Sequence, residues 1–206
     1  MNKATVDDQL WATIHHERAR LADLLETLSD EEWNQPSLCD GWRVRDVAAH
    51  VIASSDYSSV GMVVAAVRAG GDFNRLVDRM AREQGSSPTT QILARYGRQA
   101  TSRRRPPVTK RLDPLVDVLV HSQDIAIPLG REHPMPLQPA RVAASFIYTR
   151  GFPFNARRRH PGIRFVATDV EFQVGDGTPV RAPIAEIVLT LTGRGHRPAG
   201  RDRRPS

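Results

Sequence analysis

The chain holds one cysteine, Cys39, in 206 residues. An intrachain disulfide is therefore excluded, and so is a cysteine-rich zinc finger or ribbon. Lysine is almost missing: only Lys3 and Lys110 stand among 29 basic residues, so arginine is the general-purpose cation. Aromatic residues make up 6%, and none is interleaved with the arginine clumps to stack bases. Nucleic acid is not an expected partner. No run of about eighteen apolar residues occurs, so no membrane span is expected. The start, Met-Asn-Lys-Ala-Thr-Val-Asp-Asp, lacks the basic end and apolar stretch of a secretion signal, and the expectation is a cytoplasmic protein.

What is present suits a folded domain. Apolar residues reach 40% and charged residues 25%, enough for a core. The net charge of +6 is uneven: residues 1–149 carry 18 basic and 18 acidic side chains, residues 150–206 carry 11 and 5. The excess sits in Arg157-Arg158-Arg159 and in the tail from Arg194 to Arg204, with a second clump at Arg103-Arg104-Arg105. Adjacent prolines mark these as loop or tail segments, where solvated arginine is the plain reading and an anionic substrate the alternative.

Leu10, Ile14, Leu21, Leu24, Leu25 and Leu28 recur at helical spacing and predict a helix over 5–28. Ser29 followed three residues on by Glu32 is a capping-box pattern that opens a short turn carrying Trp33. Further helices are expected at 44–58, 60–67, 73–83, 88–102, 114–127, 138–149 and 183–192, the last stopped by Gly193. Strands are expected at 163–167 and 170–174, with a turn at Gly175-Asp176-Gly177. The expected architecture is mainly α. A helical bundle fills 1–130, a linker rich in proline follows, a small α+β domain occupies 138–197, and 198–206 form a basic tail.

The chemistry-bearing residues are few. Asp117 and His121 lie four apart on the apolar helix Leu115-Val116-Asp117-Val118-Leu119-Val120-His121, so carboxylate and imidazole share one face. Unpartnered polar groups in such a place cost about 1–3 kcal/mol each. A divalent metal satisfies both, and so does a hydrogen bond between them. His50 sits on a second apolar face, Val47-Ala48-Ala49-His50-Val51-Ile52, as a ligand or as a satisfied core histidine. Together the three supply two imidazoles and a carboxylate, the ligand set of a zinc site with an open position. Asp124 is placed to orient an imidazole from behind; Asp46 does the same for His50 or caps its helix. Cys39 is a packing residue or a rival nucleophile. Trp33 and Trp42 are bundle-end core or a substrate wall. His15, His16, His133, His160 and His196 lie on polar stretches and are expected in solvent.

The run from Trp33 to His50, with Pro36-Ser37-Leu38-Cys39-Asp40-Gly41-Trp42, Val44-Arg45-Asp46 and His50, resembles the N-terminal signature of the mycothiol-dependent maleylpyruvate isomerase family. That family lies within the DinB-like metal-binding four-helix bundles. His121-Ser122-Gln123-Asp124-Ile125 and Pro128-Leu129-Gly130 resemble its second signature; Ile163 to Asp169 and Leu191-Thr192-Gly193-Arg194 resemble its C-terminal domain. Residues 140–160 follow the pattern less closely. The resemblance implies a DinB-like four-helix bundle and a metal held by His50, Asp117 and His121. The characterised isomerase has glutamate at the middle position, so the shorter Asp117 requires a closer helix or a bridging water. The resemblance further implies activity dependent on Arg194, mycothiol as thiol cosubstrate, and cis–trans isomerisation or thiol transfer on a small electrophile. A metal-assisted hydrolase on the same bundle and a non-enzymatic metal-binding or regulatory module are the competing expectations.

Overall fold

The computed structural model describes residues 3–53, 73–105 and 109–194. The end of the helix expected at 44–58, from residue 54 on, the helix expected at 60–67 and the tail at 198–206 lie outside the described residues. Helix α1, Lys3–Glu26, turns Ile14, Leu21 and Leu25 into the core. Ser29 Oγ accepts the Glu32 N–H at 3.2 Å while the Glu32 carboxylate accepts the Ser29 N–H at 2.9 Å. This completes the capping box of α2, Asp30–Asn34, and buries Trp33.

Helix α3, Val44–Ala53, is buried along most of its length. Asp46, at its third position, accepts the Arg43 N–H at 2.9 Å and both edges of the Arg43 guanidinium. It therefore serves the helix start and not His50. Helices α4, Phe73–Gly85, α5, Thr89–Gln99, and α6, Asp113–Ala126, follow. Helix α1 packs on α5 and α6, and α3 packs on the same two. The four close into a bundle, with α4 laid against α3. Leu21, Leu25, Val47, Ile52, Ile92, Tyr96, Val118 and Ile125 share its core, each such side chain worth about 1.5–3 kcal/mol of burial.

The chain divides into two units, Met1–Pro134 and Met135–Ser206. In the second, α7, Leu137–Thr149, packs on α8, Ala156–Arg159, and on the final helix α9, Ile184–Thr192. Strand β1, Ile163–Ala167, is central. It pairs antiparallel with β2, Gln173–Val174, and parallel with β3, Thr178–Ala182. The chain passes under the start of β1 to change edges. A Cβ at Gly175 would meet the Ile163 carbonyl oxygen at 2.2 Å, and one at Gly177 the Gly162 oxygen at 2.3 Å. Both positions also have positive φ, so only glycine fits.

Two sequence expectations shift here. The strand expected at 170–174 shrinks to Gln173–Val174, because Asp169 turns its carboxylate to accept the Ile184 N–H at 2.9 Å at the start of α9. The bend this needs is incompatible with an extended run. Strand β3 was not expected: Thr178-Pro179-Val180-Arg181-Ala182 is an exposed edge strand, and a proline and an arginine hide its pattern. Among the described residues, no helix is long and apolar enough to cross a membrane.

Candidate metal centre

Helices α3 and α6 bring His50, Asp117 and His121 together. Asp117 Oδ1 lies 3.3 Å from His50 Nε2 and 3.4 Å from His121 Nε2. One donor atom from each residue falls within 4.8 Å of the others. The imidazoles meet edge to face, centroids 5.0 Å apart at 79°. A tetrahedron with corner distances of about 2.05 Å has edges of about 3.35 Å. Both contacts to Asp117 have that length. The donor set fits a divalent cation. The side chains are 13–22% exposed, so the cluster is sheltered but reachable.

The back of His121 is fixed. Its Nδ1 lies 2.7 Å from Asp124 Oδ2, and Asp124 has 0% exposure. With Nδ1 turned to this buried carboxylate, Nε2 is the ring nitrogen that faces Asp117, the carboxylate–histidine arrangement that supports metal ligands. Cys39 Sγ donates to the same Asp124 oxygen at 3.1 Å and sits 3.7 Å from His121 Nδ1. The Leu38 N–H donates to the Asp124 carbonyl at 3.0 Å. The loop carrying Cys39 is thereby clamped to α6.

Trp42 closes one side. Its ring lies 5.2 Å from His50 and is stacked at 24° on His121, 6.4 Å away. Its Nε1–H donates to Asp78 on α4 at 2.8 Å, and Arg82 holds that carboxylate at 2.9 Å. Trp42 is thus both core and wall, whereas Trp33 is core alone. Asp78 was not anticipated, since nothing in its polar helix distinguishes it.

Arg18 was also missed. It is 1% exposed, with Nη1 donating to the Ser102 carbonyl at 2.9 Å. The signal was in the sequence: Ile14, Arg18, Leu21 and Leu25 occupy one helical stripe. Burial pushes the Asp117 carboxyl upward, but His50, His121 and Arg18 together hold it below the usual carboxylate range. The group is ionised at neutral pH.

Of the histidines expected in solvent, His16 is exposed, His15 and His160 are half-buried and His133 is buried. The Gln123 side chain donates to the His133 carbonyl at 2.7 Å and draws that loop inward. Arg194, in the second unit, donates through Nη1 to the Thr192 carbonyl at 3.2 Å. The arginine clump at 103–105 is partly paired: Arg103 meets Asp8 at 2.7 Å, and the nearby Arg111 meets Asp7.

A histidine–carboxylate–histidine cluster on facing helices is the kind of donor set from which helical bundles build metal sites. Residues 14–111 match the family model of the mycothiol maleylpyruvate isomerase N-terminal domain. The match includes His50 and ends before Asp117 and His121. Two solved structures share the fold: the mycothiol-dependent maleylpyruvate isomerase, TM-score 0.62, and a histidine-to-alanine mutant of it, TM-score 0.63. Each is 13% identical, and the similarity covers 92% of this chain and 90% of that one. No curated protein matches the sequence.

Proposed function

We propose that this chain is a metal-dependent enzyme that uses mycothiol to isomerise a small unsaturated dicarbonyl acid from cis to trans. The observation that carries the reading is the His50–Asp117–His121 triangle, its two edges to Asp117 of metal-site length, with Asp124 behind one histidine. The two ligand histidines and the aspartate would hold the cation, and zinc follows from the ligand types. When bound, it supplies a Lewis acid that lowers the pKa of a thiol or polarises a carbonyl.

The chain's own residues do the rest. Asp124 keeps the Nδ1 proton of His121 in place, so the ring neither rotates nor changes tautomer. Trp42 excludes water from one side of the pair. The isomerisation itself needs temporary loss of the double bond: a thiolate adds to the conjugated alkene, the new single bond rotates, and the thiolate leaves. The cosubstrate supplies the nucleophile. Cys39 need not, because its hydrogen points at Asp124. Arg194 is assigned from its motif as the cation for the substrate's carboxylate or enolate.

The test is turnover of maleylpyruvate with and without mycothiol. Isomerisation that requires the thiol and is lost in His121→Ala is expected. Thiol-independent hydrolysis would move the assignment to a hydrolase on the same bundle. No turnover by protein that binds one metal per chain would leave a metal-binding module.

A further inference from the structure

Arg18 carries a charge to which the proposed reaction gives no role. Its side chain is 1% exposed and shares one inward stripe with Ile14, Leu21 and Leu25, each 0% exposed. A guanidinium keeps its charge at physiological pH, and burying it is costly unless partners replace the lost water. Here the partners are few. Nη1 donates to the Ser102 carbonyl at 2.9 Å, and Nε finds no acceptor among the described residues. The neighbouring Glu17 is buried too, but its carboxylate takes Arg20 at 2.8 Å. No carboxylate among the described residues forms an ion pair with Arg18.

The fold sets this cation beside the candidate metal centre. Helix α1 packs on α6, which carries Asp117 and His121. Asp7, near the start of α1, meets Arg111 just before α6, and Glu32, past the end of α1, meets Arg131 past the end of α6. The two helices therefore run side by side in one direction, with Arg18 and Asp117 both between these contacts. The charges of Arg18 and Asp117 act on each other through space. Two neutral imidazoles and one carboxylate cancel only half the charge of a divalent cation. Arg18 adds a further positive charge in a sheltered place, where water and salt screen weakly. That charge attracts an anion to the open position and opposes the binding of the cation itself.

Resting on the cation site proposed above, we infer that Arg18 is a specificity-determining residue, whose buried charge favours an anion over a neutral ligand at the open position and lowers metal affinity. The experiment loads the full chain with cobalt(II) and measures metal affinity by chelator competition. The loaded protein is then titrated with thiocyanate and, separately, with imidazole, followed by visible absorption. In Arg18→Met, cobalt is expected to bind about tenfold more tightly, thiocyanate about tenfold more weakly and imidazole as in the parent. Arg18→Lys keeps the charge and is expected to match the parent in all three. Should Arg18→Met fail to fold by circular dichroism, Arg18→Gln carries the same expectations. Lost packing would weaken metal and both ligands together, so shifts of opposite sign separate charge from structure. The inference is overturned, with the cation site intact, if the parent binds imidazole but not thiocyanate. It is equally overturned if the uncharged variant leaves thiocyanate affinity unchanged or weakens both ligands alike. A parent chain that takes up no cobalt overturns the cation site, and this inference with it.

Discussion

His121 Nδ1 lies 2.7 Å from the fully buried Asp124 Oδ2, on the face of the ring away from Asp117. That contact turns Nδ1 to the carboxylate and leaves Nε2 on the side of Asp117, which suits the imidazole to the ligand role proposed for it. Asp124→Asn is expected to weaken metal binding by roughly 10–100-fold, as partners behind metal ligands do elsewhere. Competition with a chromophoric chelator measures it. Unchanged affinity would mean that Nδ1 needs no fixed acceptor.

Cys39 separates two chemistries. The thiol donates to Asp124 at 3.1 Å, so it acts through that carboxylate. Cys39→Ser keeps a donor and is expected to retain turnover within a few-fold. Cys39→Val loses the bond, at a cost of about 1 kcal/mol, and loosens the loop against α6. If the serine variant is inactive while binding metal normally, Cys39 is itself the nucleophile and the cosubstrate's role falls.

Helices α3 and α4 approach at Gly85. A Cβ there would lie 2.1 Å from Asp46 Oδ1 and 2.7 Å from the Asp46 Cα, and the Arg45 guanidinium grips the carbonyls of Gly85 and Ser87 at 2.6 and 2.7 Å. Backbone cannot retreat as a flexible side chain can. Gly85→Ala is expected to destabilise the bundle by about 1–3 kcal/mol, seen as a lower urea midpoint with unchanged slope. A neutral result would place the two helices farther apart.

Acid should weaken the fold through His133. Burial, aided by the charge of Arg20, pushes its pKa from 6.5 down to about 4. Between those values the unfolded chain binds a proton that the folded chain refuses, so stability falls as pH falls through that window. The effect is on the order of 3 kcal/mol. His133→Leu should lose less stability than the parent between pH 7 and pH 4 in urea titrations, and parallel pH profiles would contradict the assignment.

The helices were legible because apolar spacing and caps are local: Ser29 with Glu32, Pro114 at the start of α6 and Gly193 at the end of α9 all act within one turn. The edge strand β3 was not, since Pro179 and Arg181 interrupt the alternation and its pairing with β1 is set by tertiary structure. The grouping of His50, Asp117 and His121 was legible from residue type and face alone. Its supports divided. Asp124 lies one turn from His121 and was readable. Arg18 carried a signal, a cation in an apolar stripe, that no motif flagged. Asp78 reaches Trp42 across thirty-six positions, a separation at which sequence carries no trace. Asp46 had two readings, and only the Arg43 contacts decided between them.

The central claim is that one divalent cation is gripped by His50, Asp117 and His121. Metal analysis of the chain purified without chelator, beside His50→Ala, Asp117→Ala and His121→Ala, tests it most directly. The account predicts about one metal per folded chain in the parent and its loss in all three variants, with helix content retained by circular dichroism. Variants that fold and keep the full metal content would contradict it.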